Sequence, residues 1–270
     1  MKTNETPLDP VAIRQTAHML ADAAREVTLP YFRSDTLSTD NKHRQGGFDP
    51  VTEADRGAER AMRALLAQRL PQDAILGEEY GASPGTSGRT WVLDPVDGTR
   101  AFLAGAPTWG VLIALADETG PRYGLIDQPY IGERFEGGFG EARMDGPQGP
   151  RGLCVRGERR LAEAILMTTY PEVGSEAEGA AFAELSRHAR LTRYGLDCYA
   201  YALLAAGQID LVVEAGLAAH DIQAPIAVIE AAGGIVTDWR GGPAHQGGRA
   251  IAAAGREQHA AALDILSRVP

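Results

Sequence analysis

The stretch Trp91-Val92-Leu93-Asp94-Pro95-Val96-Asp97-Gly98-Thr99 is an apolar strand that stops abruptly on two aspartates, a glycine and a threonine. Carboxylates at the end of a buried strand are costly unless something positive meets them. A lone Asp-Gly pair would read as a polar turn. Two further acidic clusters argue against that reading here. Gly77-Glu78-Glu79 follows the short apolar run Ala74-Ile75-Leu76, and His220-Asp221 opens a helical segment. Each cluster sits where a regular element begins or ends, which is where open α/β sheets place ligands. The pattern points to a hard-cation site built from oxygen donors.

Composition narrows the function classes. With 270 residues, 44% hydrophobic and 23% charged, the chain has the make-up of a globular protein able to bury one large or two fused cores. A net charge of -10 argues against nucleic acid or an anionic membrane as partner. A small phosphorylated molecule stays compatible, provided cations screen the carboxylates. No apolar run approaches the ~20 residues of a membrane span, and the first residues lack a signal-peptide pattern, so a cytoplasmic location is expected. Cys154 and Cys198 show neither a disulfide framework nor zinc-ligand spacing. The only lysines are Lys2 and Lys42, and no Gly-Lys-Ser/Thr phosphate loop exists. The Asp-x-Asp nucleophile of haloacid-dehalogenase-type phosphatases is also absent, because two residues separate Asp94 from Asp97 and no lysine follows.

The pattern predicts an amphipathic helix over 9–32, capped by Asp9 and ended by Pro30, then a polar loop over 33–50 carrying Lys42. Thr52-x-x-Asp55 resembles a capping pair for a second helix. Strands are predicted near 74–77, 90–94, 109–116, 122–127 and 133–138. A Gly/Pro-rich segment near 145–152 divides the chain into lobes 1–147 and 148–270 of one compact unit. The second lobe alternates strands and helices, including helices at 198–207 and 222–232. The fold class is layered α/β with two sheets, and neither half supplies the acidic residues alone.

Four segments taken in order resemble the inositol monophosphatase family: Asp49-Pro-Val-Thr52-x-x-Asp55, Gly77-Glu78-Glu79, Trp91 through Thr99, and Asp221 followed by Glu230-Ala-Ala-Gly-Gly234. The resemblance implies a five-layer αβαβα sandwich and Mg²⁺-assisted hydrolysis of a phosphate monoester. It implies that Glu78, Asp94 and the Val96 carbonyl bind one Mg²⁺, and that Asp94, Asp97 and Asp221 bind a second. A third, looser ion near Glu78 is also implied, and substitution of Mn²⁺ for Mg²⁺ is left open. Thr99 matches the residue that orients the attacking water, with Asp49 as its acidic partner. Thr99 also reads as the start of the helix after Gly98, and both roles can hold. Gly98 and Thr99 would receive the phosphate. Lys42 matches a basic loop residue that screens phosphate, and reads equally as a solvated lysine. A homodimer is the implied assembly.

Within the family, Gly98-Thr99-Arg100-Ala101-Phe102, Gly124-Leu-Ile-Asp127-Gln-Pro129 and Arg193 through Tyr201 resemble the histidinol-phosphatase branch. Glu214 matches a position that contacts the alcohol portion of the substrate. Asp197 departs from inositol phosphatases, which carry a small apolar residue there. Two carboxylates suit the ammonium and imidazole of histidinol phosphate. Asp197 also reads as a helix N-cap before Cys198. His220 stands where relatives carry an aromatic ring and is expected to pack beside the site rather than to ligate. The alternatives are an inositol-1-phosphate or broad sugar-phosphate phosphatase and, more remotely, a noncatalytic metal- or phosphate-binding regulator.

Overall fold

The computed structural model describes residues 9–35, 39–41 and 50–270. Lys42 and Asp49 lie outside them, as does most of the loop expected over 33–50. In chain order the elements are α1 (Pro10–Thr28), β1 (Thr39–Asn41), β2 (Pro50–Thr52), α2 (Glu53–Arg69), β3 (Ala74–Gly77), β4 (Gly81–Ser83), β5 (Thr90–Asp97) and α3 (Thr99–Leu103). Then come β6 (Gly110–Asp117), β7 (Gly120–Gln128), β8 (Glu133–Gly138), β9 (Glu141–Asp145) and β10 (Arg151–Gly152). The remainder is β11 (Ile165–Thr168), α4 (Glu176–His188), β12 (Leu191–Tyr194), α5 (Cys198–Ala205), β13 (Leu211–Leu217), α6 (Ala219–Ala231), β14 (Ile235–Thr237), β15 (Gly248–Ala253) and α7 (Arg256–Leu266). Among the described residues no helix is long and apolar enough to cross a membrane.

An eight-stranded sheet runs β10-β9-β8-β7-β6-β5-β3-β4, and a five-stranded sheet runs β12-β11-β13-β15-β14. Helices α1 and α2 bury Leu20, Ala24, Ala58 and Met62 against the outer face of the first sheet, with Trp91, Leu93 and Ile113. Helices α5 and α6 fill the space between the sheets, where Tyr201, Leu204, Ile222 and Val228 meet Val92, Leu112 and Val212. Phe182 of α4 and Ala262 of α7 cover the far face of the second sheet with Leu166, Leu211 and Ile251. The order of layers is therefore αβαβα. It follows from strands that are apolar on both faces, since each face needs a cover.

Several boundaries differ from the sequence reading. The first helix ends at Thr28 rather than 32, because Pro30 has no N–H to continue the ladder. The first sheet runs past residue 147, since β10 pairs with β9. Helix α6 begins at Ala219, a turn earlier than the expected 222, so Asp221 lies in its first turn and Pro225 in its interior. Pro225 cannot donate to the Asp221 carbonyl.

Close packing sets where α6 sits. A Cβ on Gly124 would lie 2.3 Å from the Ala224 carbonyl oxygen, and one on Gly137 would lie 2.6 Å from Val228 Cα. The helix backbone thus rests directly on β7 and β8. On the opposite face, two buried carboxylates tie α1 to the sheet. Asp127 accepts from Arg25 Nε and Nη2 at 2.6 and 2.7 Å. Glu136 meets Arg14, Arg143, His18 and Tyr123. Burial alone would raise the Glu136 pKa, but the contacts with His18, Tyr123 and Arg143 outweigh it and hold the pKa at about 2.

Two outcomes follow. Gly137→Ala should destabilise the protein by roughly 1–3 kcal/mol in thermal unfolding, because α6 must retreat from the sheet. The depressed Glu136 pKa contributes stability that is complete above the unfolded-state carboxyl pKa and fades as the pH falls from about 4.5 toward 2, worth about 3 kcal/mol at most. Denaturant titrations of Glu136→Gln across that window should show a flatter pH dependence than the parent.

Candidate metal centre and its cavity

Successive side chains of a strand point to opposite faces, so Asp94 and Asp97, three apart, should face away from each other. They do not, because β5 carries a bulge. Asp94 pairs with Leu112 and Asp97 with Gly110, so three steps on β5 match two on β6. The extra residue brings both carboxylates to one side, and a bulge is a position that tolerates Pro95 in a buried strand. The Val96 N–H donates to Asp94 Oδ1 at 3.1 Å and fixes the turn of the bulge.

Three other elements converge on this strand tip. Glu78 follows β3, which runs parallel to β5. Its segment is held by Glu59 of α2, a buried carboxylate that accepts from the Glu79 N–H at 2.7 Å and the Tyr80 N–H at 3.2 Å. A Cβ on Gly77 would lie 2.0 Å from Glu59 Oε1, so glycine is needed there. Asp221 comes from the first turn of α6, with its Oδ2 accepting from the Ala218 N–H at 2.7 Å. The α5 N-terminus contributes the Cys198 N–H, which donates to Asp97 Oδ2 at 2.6 Å.

Ligand-capable atoms of Asp94, Asp97 and Asp221 lie within 4.8 Å of one another, and so do those of Glu78, Asp94 and His220. Asp94 belongs to both groups. Its carboxyl is pushed well above the usual carboxylate range by burial and then by the charges of Glu78, Asp97 and Asp221. Asp97 is raised too, by burial, Asp197 and Asp221, with the Cys198 contact working in the other direction. Among the described residues that line the surrounding cavity of about 250 Å³ there is no lysine or arginine. A half-buried cluster of this kind around the buried Asp94, with oxygen donors at ligand spacing, fits divalent cations.

Thr99 starts α3 beside the cluster. Its hydroxyl lies 3.2 Å from the Val96 carbonyl oxygen and 3.4 Å from Asp55 Oδ1. Asp55 is buried and closes the capping box of α2, accepting from the Thr52 N–H at 3.0 Å and from the Thr52 hydroxyl. Burial raises its pKa to about 6; the Thr52 contact opposes the shift and Glu78 adds to it. Thus the carboxylate meeting Thr99 among the described residues is Asp55, which the sequence offers as a helix cap and as the last residue of a family-like segment but not as a partner of Thr99. Asp49, expected in that role, is outside the described residues.

The other side of the cavity carries Asp197, Glu214, Thr169, Tyr170 and Tyr201. Asp197 follows Leu196, and both have positive φ, +81° and +48°. It occupies the N-cap position of α5, yet its side chain makes no capping bond. Instead it lies over Gly98, whose absent Cβ would fall 2.7 Å from Asp197 Cγ. Gly98 itself has φ +81°, so glycine is doubly required. Burial raises the Asp197 pKa to about 6, with Arg100 opposing. Glu214, on β13, accepts from Thr169 N–H and Oγ1 at 2.6 and 2.9 Å. Its pKa is raised to about 7 by burial, against the Thr169 contacts and with the help of Asp197. Tyr201 is buried, and its hydroxyl has no hydrogen-bond partner among the described residues.

A profile of the inositol monophosphatase family matches residues 9–269. The chain is 42% identical over 243 residues to the chloroplastic bifunctional phosphatase IMPL2 of Arabidopsis thaliana, covering 88% of this chain and 67% of that one. It is 35% identical over 228 residues to a histidinol-phosphatase of Chlorobaculum parvum, covering 84% and 86%. A solved inositol monophosphatase from Zymomonas mobilis superposes with a TM-score of 0.85 at 38% identity, covering 97% of this chain and all of that one. The chain belongs to the inositol monophosphatase family of metal-dependent phosphatases.

The crowding around Asp94 makes a thermal prediction. Asparagine keeps an acceptor for the Val96 N–H but removes a charge whose pKa is raised on folding and which therefore destabilises the cation-free protein at neutral pH. Asp94→Asn should raise the cation-free melting temperature at pH 7.5 by about 3 °C or more. It should also abolish the further rise that Mg²⁺ gives the parent protein.

Proposed function

From membership of the inositol monophosphatase family we propose that this protein is a Mg²⁺-dependent histidinol-phosphatase. It would hydrolyse L-histidinol phosphate with water to L-histidinol and inorganic phosphate, in the cytoplasm and as a homodimer, within histidine biosynthesis. The observation that carries the substrate assignment is the placement of Asp197. It is a half-buried carboxylate at positive φ that forgoes its capping bond and lines the cavity with Glu214. Holding a second pair of carboxylates beside the metal-type cluster is unfavourable unless the substrate brings positive charge. The histidinol portion carries an ammonium group and an imidazole, whereas inositol is neutral and gains little from Asp197.

When bound, Mg²⁺ ions at Glu78, Asp94, the Val96 carbonyl, Asp97 and Asp221 supply charge for the phosphoryl oxygens and acidify a coordinated water. The chain's own residues then have separate tasks. Gly98 leaves room for the ester beside the strand tip. The Thr99 hydroxyl, between Asp55 and the Val96 carbonyl, orients the attacking water. Asp55, with a pKa of about 6, accepts its proton near neutral pH. The resemblance gives Asp49 the same role, and Asp55 is the carboxylate that stands beside Thr99 among the described residues. The Thr169 contacts hold Glu214 Oε1 in place, which orients the carboxylate toward the amine-bearing portion of the substrate.

Phosphate release from histidinol phosphate, inositol 1-phosphate and fructose 1,6-bisphosphate, with and without chelator, tests the proposal. Histidinol phosphate should give the highest kcat/KM, and the chelator should abolish it. Asp197→Ala should lower kcat/KM for histidinol phosphate by about 10- to 100-fold, the worth of one charge-assisted hydrogen bond, and leave inositol 1-phosphate nearly unchanged. Preference for inositol 1-phosphate or the sugar bisphosphate would replace this substrate assignment. Inactivity toward all three would favour a noncatalytic metal- or phosphate-binding protein.

A further inference from the structure

We infer that His220 is a nitrogen ligand in the metal centre, so that the cation position it shares with Glu78 and Asp94 prefers a borderline transition ion such as Mn²⁺, Fe²⁺ or Zn²⁺ over Mg²⁺. This rests on the reading of the acidic cluster as a metal centre, and it assigns the two positions different chemistry.

The argument begins with the first turn of α6. Adjacent helical residues project about 100° apart, so His220 and Asp221 reach different places from one backbone turn. Asp221 joins Asp94 and Asp97 as an all-oxygen group. His220 joins Glu78 and Asp94, with a ring nitrogen and one oxygen from each carboxylate within 4.8 Å of one another. Three ligands at about 2.1 Å from one ion can all stand at most about 3.6 Å apart, so atoms at the 4.8 Å limit would close on a cation by drawing together by about 1 Å. His220 Nε2 also lies 3.4 Å from Asp221 Oδ1, which limits the ring's orientation. The histidine side chain is 20% exposed, at the wall of the site rather than out in solvent.

Donor chemistry separates the two groups. Three carboxylates suit Mg²⁺, which takes oxygen and gives up its waters reluctantly. An imidazole with two carboxylates suits first-row transition ions, whose affinity for nitrogen exceeds that of Mg²⁺. Asp94 bridges both groups, so filling one position withdraws charge from the other.

Pulsed electron paramagnetic resonance of the full chain loaded with Mn²⁺ alone tests this directly. The parent protein should show the modulation of a directly coordinated ¹⁴N, changing to the ¹⁵N pattern when the protein is grown on ¹⁵N-histidine. His220→Gln should still bind Mn²⁺ through the carboxylates but lose that modulation, and its preference for Mn²⁺ over Mg²⁺ should fall by about tenfold or more. The isotope exchange needs no substitution, so a poorly folded variant would not leave the question open. Bound Mn²⁺ without nitrogen coupling in the parent, or coupling that persists in His220→Gln, overturns the assignment while leaving the metal centre standing. Failure of the parent to bind Mn²⁺ at all overturns both.

Discussion

Asp94 is surrounded by carboxylates. Glu78, Asp97 and Asp221 all raise its pKa, on top of the effect of burial. Two like charges 4 Å apart repel by about 4 kcal/mol at an effective dielectric constant of 20. A few such pairs rival the whole net stability of a domain, which is about 5–15 kcal/mol. Such an arrangement persists only where protons or cations neutralise it. At neutral pH a divalent cation is the more effective neutraliser, because one ion offsets several oxygens at once. Each element that reaches the strand tip therefore has to be held against electrostatic repulsion by the fold itself.

The fold supplies that force through rigid packing. A bulge in β5 turns two carboxylates to one side, and its register with β6 is fixed on both flanks. Glu59 clamps the Glu78 segment through the Glu79 and Tyr80 N–H groups, and Gly77 leaves room for it. Helix α6 lies against glycines of β7 and β8, so Asp221 and His220 cannot withdraw without lifting a buried helix. The same body positions the Asp197 and Glu214 side of the cavity from the second sheet and α5. The metal cluster draws on both lobes, Glu78, Asp94 and Asp97 from the first and Asp221 from the second, and it meets the substrate wall because the middle helical layer joins the two sheets.

The layered α/β fold was legible in the alternation of apolar strands and capped helices, and the acidic strand ends marked the site. The missing parts depended on three-dimensional geometry. A bulge between Asp94 and Asp97 has no signature beyond Pro95, so the strand's period alone points the two carboxylates apart. Asp55 was read as half of a capping box, which it is; its second oxygen facing Thr99 depends on the fold bringing α2 beside β5. Glu59 lies within an ordinary amphipathic helix, and only the close approach of Gly77 reveals what it braces. The reach of His220 depended on the true start of α6, one turn earlier than Pro225 led one to expect. A proline three residues into a predicted helix is unremarkable, whereas one in its interior marks a helix start displaced toward the site.

Anomalous diffraction from crystals grown with Mn²⁺ and inorganic phosphate addresses the central claim, that separated acidic residues converge to hold cations against a phosphoryl group. The account predicts one peak among Asp94, Asp97 and Asp221 and another among Glu78, Asp94 and His220, with phosphate bridging them next to Gly98 and Thr99. Clear phosphate density with no anomalous peak at Asp94 would contradict it.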